Sequence, residues 1–179
     1  MIRAFKGIQP TIAASAYVDE AACVIGDVII GEGSSVWPNT TIRGDVNHIR
    51  IGAHTNIQDN SVLHVTAPNT DHPNGFPLIV GDRVTVGHGV VLHACTVEDD
   101  CLVGMGAIVL DGAILRKNVL LAAGSLVPPG KELEGGYLWV GSPVKRSREL
   151  TEQEINWFSQ SARHYGRLKD EYLKQIEAN

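Results

Sequence analysis

Aliphatic residues recur every six positions through most of this chain. Ile12, Val18, Val24, Ile30, Val36 and Ile42 hold one register, and Ile51, Ile57 and Leu63 a second. Val80, Val86 and Leu92 form a third, and Val97, Val103, Val109, Leu115, Leu121 and Val127 a fourth. A period of six fits neither a helix nor an alternating strand. Small or β-branched residues fill the fifth place of many repeats, as at Ala16, Ala22, Thr40, Thr55, Ala107 and Ala113, and Gly, Asp and Asn are frequent between, where tight corners need permissive backbone. The pattern predicts an all-β parallel β-helix, three hexapeptides to a coil, with coils about 4.8 Å apart and the aliphatic side chains stacked in a triangular core.

Two insertions break the register. Three extra residues lie between Ile42 and Ile51, and eleven between Leu63 and Val80. In a solenoid such additions are expected to leave as loops on one face. The segment from Val127 to Lys145, with Pro128-Pro129-Gly130 and Gly135-Gly136, reads as the end of the coils. Then the period changes. Thr151 to Glu154 reads as a capping box, and Ile155, Phe158, Ala162, Tyr165, Leu168, Tyr172 and Ile176 follow at helical spacing. The chain thus divides into a β-helix domain over 1–145 and a segment over 146–179, whose helix (about 152 to 177) covers a flank of the solenoid.

Composition narrows the function. At 179 residues and 44% hydrophobic content, the chain suits one soluble domain with an accessory element. The net charge of −5 is spread out, and no basic cluster suggests nucleic acid. No apolar run reaches membrane-spanning length, and the start from Met1 to Lys6 lacks the apolar stretch of a signal peptide. Cys23, Cys95 and Cys101 show no metal-binding spacing, and the last two fill small-residue slots of the repeat, as buried thiols would. A cytoplasmic protein is the default expectation.

The grid makes the histidines testable. Arg43, His64 and His93 each follow an anchor (Ile42, Leu63, Leu92), and these anchors are three repeats apart once the insertions are removed. They should form one outward column, and two imidazoles on adjacent coils can converge on one ion with bonds near 2.0–2.1 Å. Asp59 and His88 lie two past Ile57 and Val86, in a second column on another face. His88 would reach the His64/His93 pair of a neighbouring copy, so a cyclic trimer would complete three-histidine sites at its interfaces. Asp59 would then approach the partner's Arg43 column. His48, His54, His72 and His164 lack such support and read as ordinary residues, although the long insertion could carry His72 over the site.

These residues also carry a family resemblance. Ile42-Arg43-Gly44-Asp45, Asn56-Ile57-Gln58-Asp59, Leu63-His64 and Val86-Gly87-His88, with His93 five residues on, resemble the γ-class carbonic anhydrases, most closely the short bacterial homologues. The similarity covers roughly residues 10 to 145 and extends to Gly141-Ser142-Pro143 and the helix. It implies a left-handed winding and a homotrimer. It also implies zinc (iron or cobalt being compatible) held by His64 and His93 of one subunit and His88 of the next. Reversible hydration of CO2 to bicarbonate is the implied activity. Arg43 and Asp45 would pair near the site, Asp59 would join across the interface, Gln58 would hydrogen-bond water or bicarbonate, and Tyr137 resembles a family tyrosine. Three neutral imidazoles would leave the charge of a divalent ion undiminished and a position open for water.

The departures concern proton export. Val46 stands where founding members place a glutamate, and the loop from Val65 to Pro77 holds no glutamate, only Asp71 and His72 being titratable. A slow hydratase is expected, with His72 as the substitute shuttle. Two further functions fit the same sequence: a metal-dependent acyl-CoA thioesterase or acyltransferase, and a non-catalytic metal-binding assembly module.

Overall fold

Strand pairing follows the six-residue grid. The computed structural model describes residues 1–178 and shows a parallel β-helix closed by one long helix. Three faces can be traced. The first carries Val62–His64, Val91–His93, Ile108–Val109 and Leu126–Val127 in parallel register. The second carries Leu78–Val80, Thr96–Val97, Ile114–Leu115 and Glu132–Leu133. The third runs from Tyr17–Val18 through Ser35–Val36, Asn56–Ile57, Thr85–Val86, Leu102–Val103 and Leu120–Leu121 to Tyr137–Val140. The anchors fill the interior, and Val24, Ile42, Leu63, Leu92, Val109, Leu115 and Leu121 are wholly buried. Each buried leucine or isoleucine contributes about 1.5–3 kcal/mol, and their stacking makes the coils one continuous core.

Three features depart from the reading of the sequence. The coils do not stop at Val127: Leu133 and Trp139 are buried six and twelve residues later, extending the period. Pro128-Pro129-Gly130 only turns a corner, with Gly130 at φ +65°. The shorter insertion is not a loop either. Thr41–Ile51 is one long strand that joins the first and second faces, with the extra residues absorbed by a shift of register against Cys23–Ile30. Lastly, an unanticipated strand, Lys145–Glu149, pairs antiparallel with Tyr137–Val140 and is exposed along its length.

The helix spans Glu152–Glu177 and starts as expected, with Thr151 and Glu154 forming a capping box. It lies on the third face. Phe158 and Ala162 are buried there, Tyr165 and Tyr172 meet Trp37 edge-on, and Ser161 shares a 2.9 Å hydrogen bond with Thr85. Cys95 and Cys101 are buried free thiols, and burial pushes Cys101 up to about 12. No helix among the described residues is long and apolar enough to cross a membrane.

Candidate metal centre

The outward column forms where the grid puts it. His93 pairs in register with His64, because Leu92 sits on Leu63 and Val91 on Val62. Leu63 and Leu92 point inward, so the next side chain on each strand points out. The imidazoles meet with His64 Nδ1 and His93 Nε2 3.2 Å apart.

Each ring's other nitrogen is held by a carboxylate. His64 Nε2 lies 3.0 Å from Asp45, and Asp45 is in turn paired with Arg43. His93 Nδ1 lies 2.6 Å from Asp111, whose second oxygen accepts the Thr66 hydroxyl. Burial alone would raise Asp45, but the hydrogen bonds from Arg43 and His64 outweigh it and hold the carboxyl below the ordinary range. Asp111 is lowered in the same way, with Thr66 and His93 overcoming burial. His64 is lowered chiefly by burial, with Arg43 nearby, despite the opposing pull of Asp45.

That geometry sets the tautomers. An ionised carboxylate can only accept, so in the neutral rings the proton sits on His64 Nε2 and on His93 Nδ1. The two remaining lone pairs then face each other across 3.2 Å with no hydrogen between them. A cation resolves that repulsion. Two nitrogens bound at 2.0–2.1 Å to one tetrahedral ion are about 3.3 Å apart, so the pair already has the spacing of two metal ligands.

His88 lies elsewhere, at the corner that leads from the third face into the first. The turn there is tight, with Asn60 at φ +59° and Gly89 at φ +68° in successive coils. It places Asp59 and His88 one above the other, 2.9 Å apart. His88 and His93 therefore bound opposite edges of the first face, and among the described residues no third His, Cys, Asp or Glu joins the His64/His93 pair in a metal-binding group. Between those edges the first face is apolar and open: Val62 is 44% and Ile108 38% exposed.

The remaining candidates are dispersed. Gln58 is buried beside Asp59 and donates to Asn56, which donates to Thr85 under the helix. Tyr137 sits three coils beyond Val86, about 14 Å along the axis, with the Arg146 guanidinium 4.7 Å above its ring. Val46 is exposed. His72 is on the long insertion with its ring centre 4.5 Å from that of Phe76. A cleft of about 1060 Å³ lies between the helix and the corner carrying Gly33, His54 and Arg83, and none of His64, His88 and His93 lines it.

Asp111 and Thr66 were missed by reading the sequence. Part of the signal was present: Val109 stacks on Leu92, so Asp111, two residues on, sits one coil above Ala94, diagonally next to His93.

Comparison with known proteins agrees with the family resemblance. Residues 95–128 match the repeat family described as "Hexapeptide repeat of succinyl-transferase". A carbonic anhydrase of Geobacillus kaustophilus is 46% identical over 99% of this chain and 93% of its own. The mitochondrial gamma carbonic anhydrase 2 of Arabidopsis thaliana is 49% identical over 88% of this chain, which spans only 56% of that relative's length. Among solved structures, a hexapeptide transferase family protein from Anaplasma phagocytophilum superposes with a TM-score of 0.89 at 40% identity, covering 96% of this chain and 97% of its own. At 46% identity to a named carbonic anhydrase over nearly the full length of both chains, and with a parallel hexapeptide β-helix, this chain belongs to the γ-class carbonic anhydrase family.

Proposed function

We propose that three copies of this chain assemble around shared divalent-metal sites and reversibly hydrate CO2 to bicarbonate. Each site takes His64 and His93 from one copy and His88 from the next. The observation that carries this reading is the 3.2 Å approach of two imidazole nitrogens whose rings are each held from behind by a carboxylate. The exposed apolar strip between the His88 and His93 edges supports the assembly, since a partner would cover it.

Held by three neutral imidazoles, a divalent ion (zinc, iron or cobalt) would supply the Lewis acidity that makes water a competent nucleophile near neutral pH. The chain's own groups do the rest. Arg43 restrains Asp45, and Asp45 keeps His64 in the tautomer that leaves Nδ1 bare. Within the copy that supplies His88, Asp59 holds that ring by Nδ1 and leaves its Nε2 free. Gln58, held by Asn56 beside Asp59, contributes the amide that orients bicarbonate. Hydration releases one proton per CO2, and with Val46 and a glutamate-free insertion its exit falls to His72 and buffer, so turnover is slow. The assigned site makes no use of Tyr137.

Stopped-flow CO2 hydration by protein purified and metal-loaded without oxygen tests the proposal, with light scattering for the assembly. A trimer whose activity disappears in His93→Ala supports it, and a monomer that binds one metal tightly rejects it. Acyl transfer is the second reading, favoured by the transferase name of the Anaplasma relative. Turnover of acyl-CoA with none of CO2 would reverse the order.

A further inference from the structure

Two of the carboxylates that touch the histidines, Asp45 and Asp59, belong to the motifs already described. Asp111 does not. We propose that Asp111 is a positioning residue that fixes the tautomer and tilt of His93 and ties that ring to the neck of the long insertion, an inference that rests on the His64/His93 metal reading.

The backbone around Asp111 is pinned on both sides. Its carbonyl accepts from Gly130 at 2.8 Å, and Gly112 donates to Ala94 at 2.8 Å. From that fixed turn one carboxylate oxygen reaches down a coil to His93 Nδ1, 2.6 Å away. The other takes the hydroxyl of Thr66, a residue 45 positions earlier in the chain. Thr66 closes the insertion, because its backbone N–H and C=O pair with Phe76 at 3.0 and 3.1 Å. The Asn47 side chain adds a second clasp, donating to the carbonyls of Thr66 at 3.2 Å and Asn74 at 2.9 Å. Phe76 is pressed close to Gly112, where an added Cβ would lie 3.4 Å from its ring.

One anion therefore serves two partners. For His93 it is an acceptor that leaves only Nε2 free to face His64. For the insertion it is the acceptor to which the neck is anchored. The ring and the loop share that carboxylate, so its loss releases both, whereas loss of Thr66 releases the loop and leaves the ring in place.

Histidine 15N NMR on metal-free protein near pH 8 reads the ring directly, cobalt(II) competition against a chelator reads affinity, and limited proteolysis between Ala67 and Gly75 reads the loop. The wild type should show His93 protonated on Nδ1. Asp111→Ala should shift His93 toward the other tautomer, weaken cobalt binding about 10–100-fold and speed loop cleavage. Thr66→Val should speed cleavage alone. If Asp111→Ala fails to fold, Asp111→Asn carries the same readouts with smaller shifts in the same direction. An unchanged tautomer and unchanged cobalt affinity in the folded variant would overturn the positioning role. A wild type that binds no cobalt, while His93 still follows Asp111, would instead remove the metal reading and keep the tether.

Discussion

Two stacks of ionisable residues climb this solenoid, and they resolve their charges differently. At the corner between the second and third faces, Arg83 makes a two-pronged contact with Asp100 at 2.7 and 3.0 Å, and Arg116 bridges Glu98 and Glu132 at 2.7 and 2.6 Å. Carboxylates left over cap backbone N–H groups, as Asp82 does for Ala53 at 2.7 Å and Asp99 for Asp82 at 2.9 Å. Every strong donor there meets an acceptor. On the first face, Asp45 and Asp111 flank His64 and His93, and the two imidazoles meet nitrogen to nitrogen at 3.2 Å. A paired ladder is a way of stacking coils. The other stack is the proposed seat of a cation.

The largest expected break of that contrast is His93→Ala, which removes one of the two facing nitrogens. Metal stoichiometry by elemental analysis after dialysis should fall to background while the circular dichroism of the solenoid stays unchanged. Next is Leu92→Ala, beneath the same site: Leu92 is wholly buried between Leu63 and Val109, so the cavity should cost about 2–5 kcal/mol in denaturant unfolding. Asp45→Asn keeps the shape but loses the charge shared with Arg43, and should weaken metal binding about 10–100-fold by chelator competition. The smallest effect belongs to the paired ladder. Asp100→Asn should cost at most about 1 kcal/mol and leave metal affinity untouched.

Acid sharpens the same comparison. Hydrogen bonds from Arg83, and then Lys117, outweigh burial and hold Asp100 below the ordinary carboxylate range. The stability this adds is complete above about pH 5 and is lost as pH falls through about 4 and below. Acid unfolding curves of the wild type and Asp100→Asn should therefore converge at the low end and separate above it.

Much of this was legible because the repeat converts sequence distance into spatial distance. The coils and the stacking of His64 on His93 and Asp59 on His88 follow from counting in sixes, and the helix from its capping box and its change of period. Counting failed where residue type was trusted over position. Trp139 keeps the period with an aromatic in an aliphatic slot, and Pro128-Pro129-Gly130 resembles a terminator while only turning a corner. The strand Lys145–Glu149 carries no alternation at all, since none of its five residues is buried in the core. Asp111 was hidden by chemistry: it serves a ligand without being one. The long strand Thr41–Ile51 was hidden because a bulged register and a loop have the same count of extra residues.

That exposed strand has a consequence for the life of the protein outside its site. A parallel solenoid ends in open backbone, and another copy could continue it end to end into a fibre. On the third face the last coil is already occupied by Lys145–Glu149, which runs the wrong way for a further parallel strand. Four of its five residues are charged, and Arg146 and Arg148 are paired with Glu134 and Glu154, so the edge it presents is polar. The five residues after the last turn thus blunt one edge of a structure built for stacking.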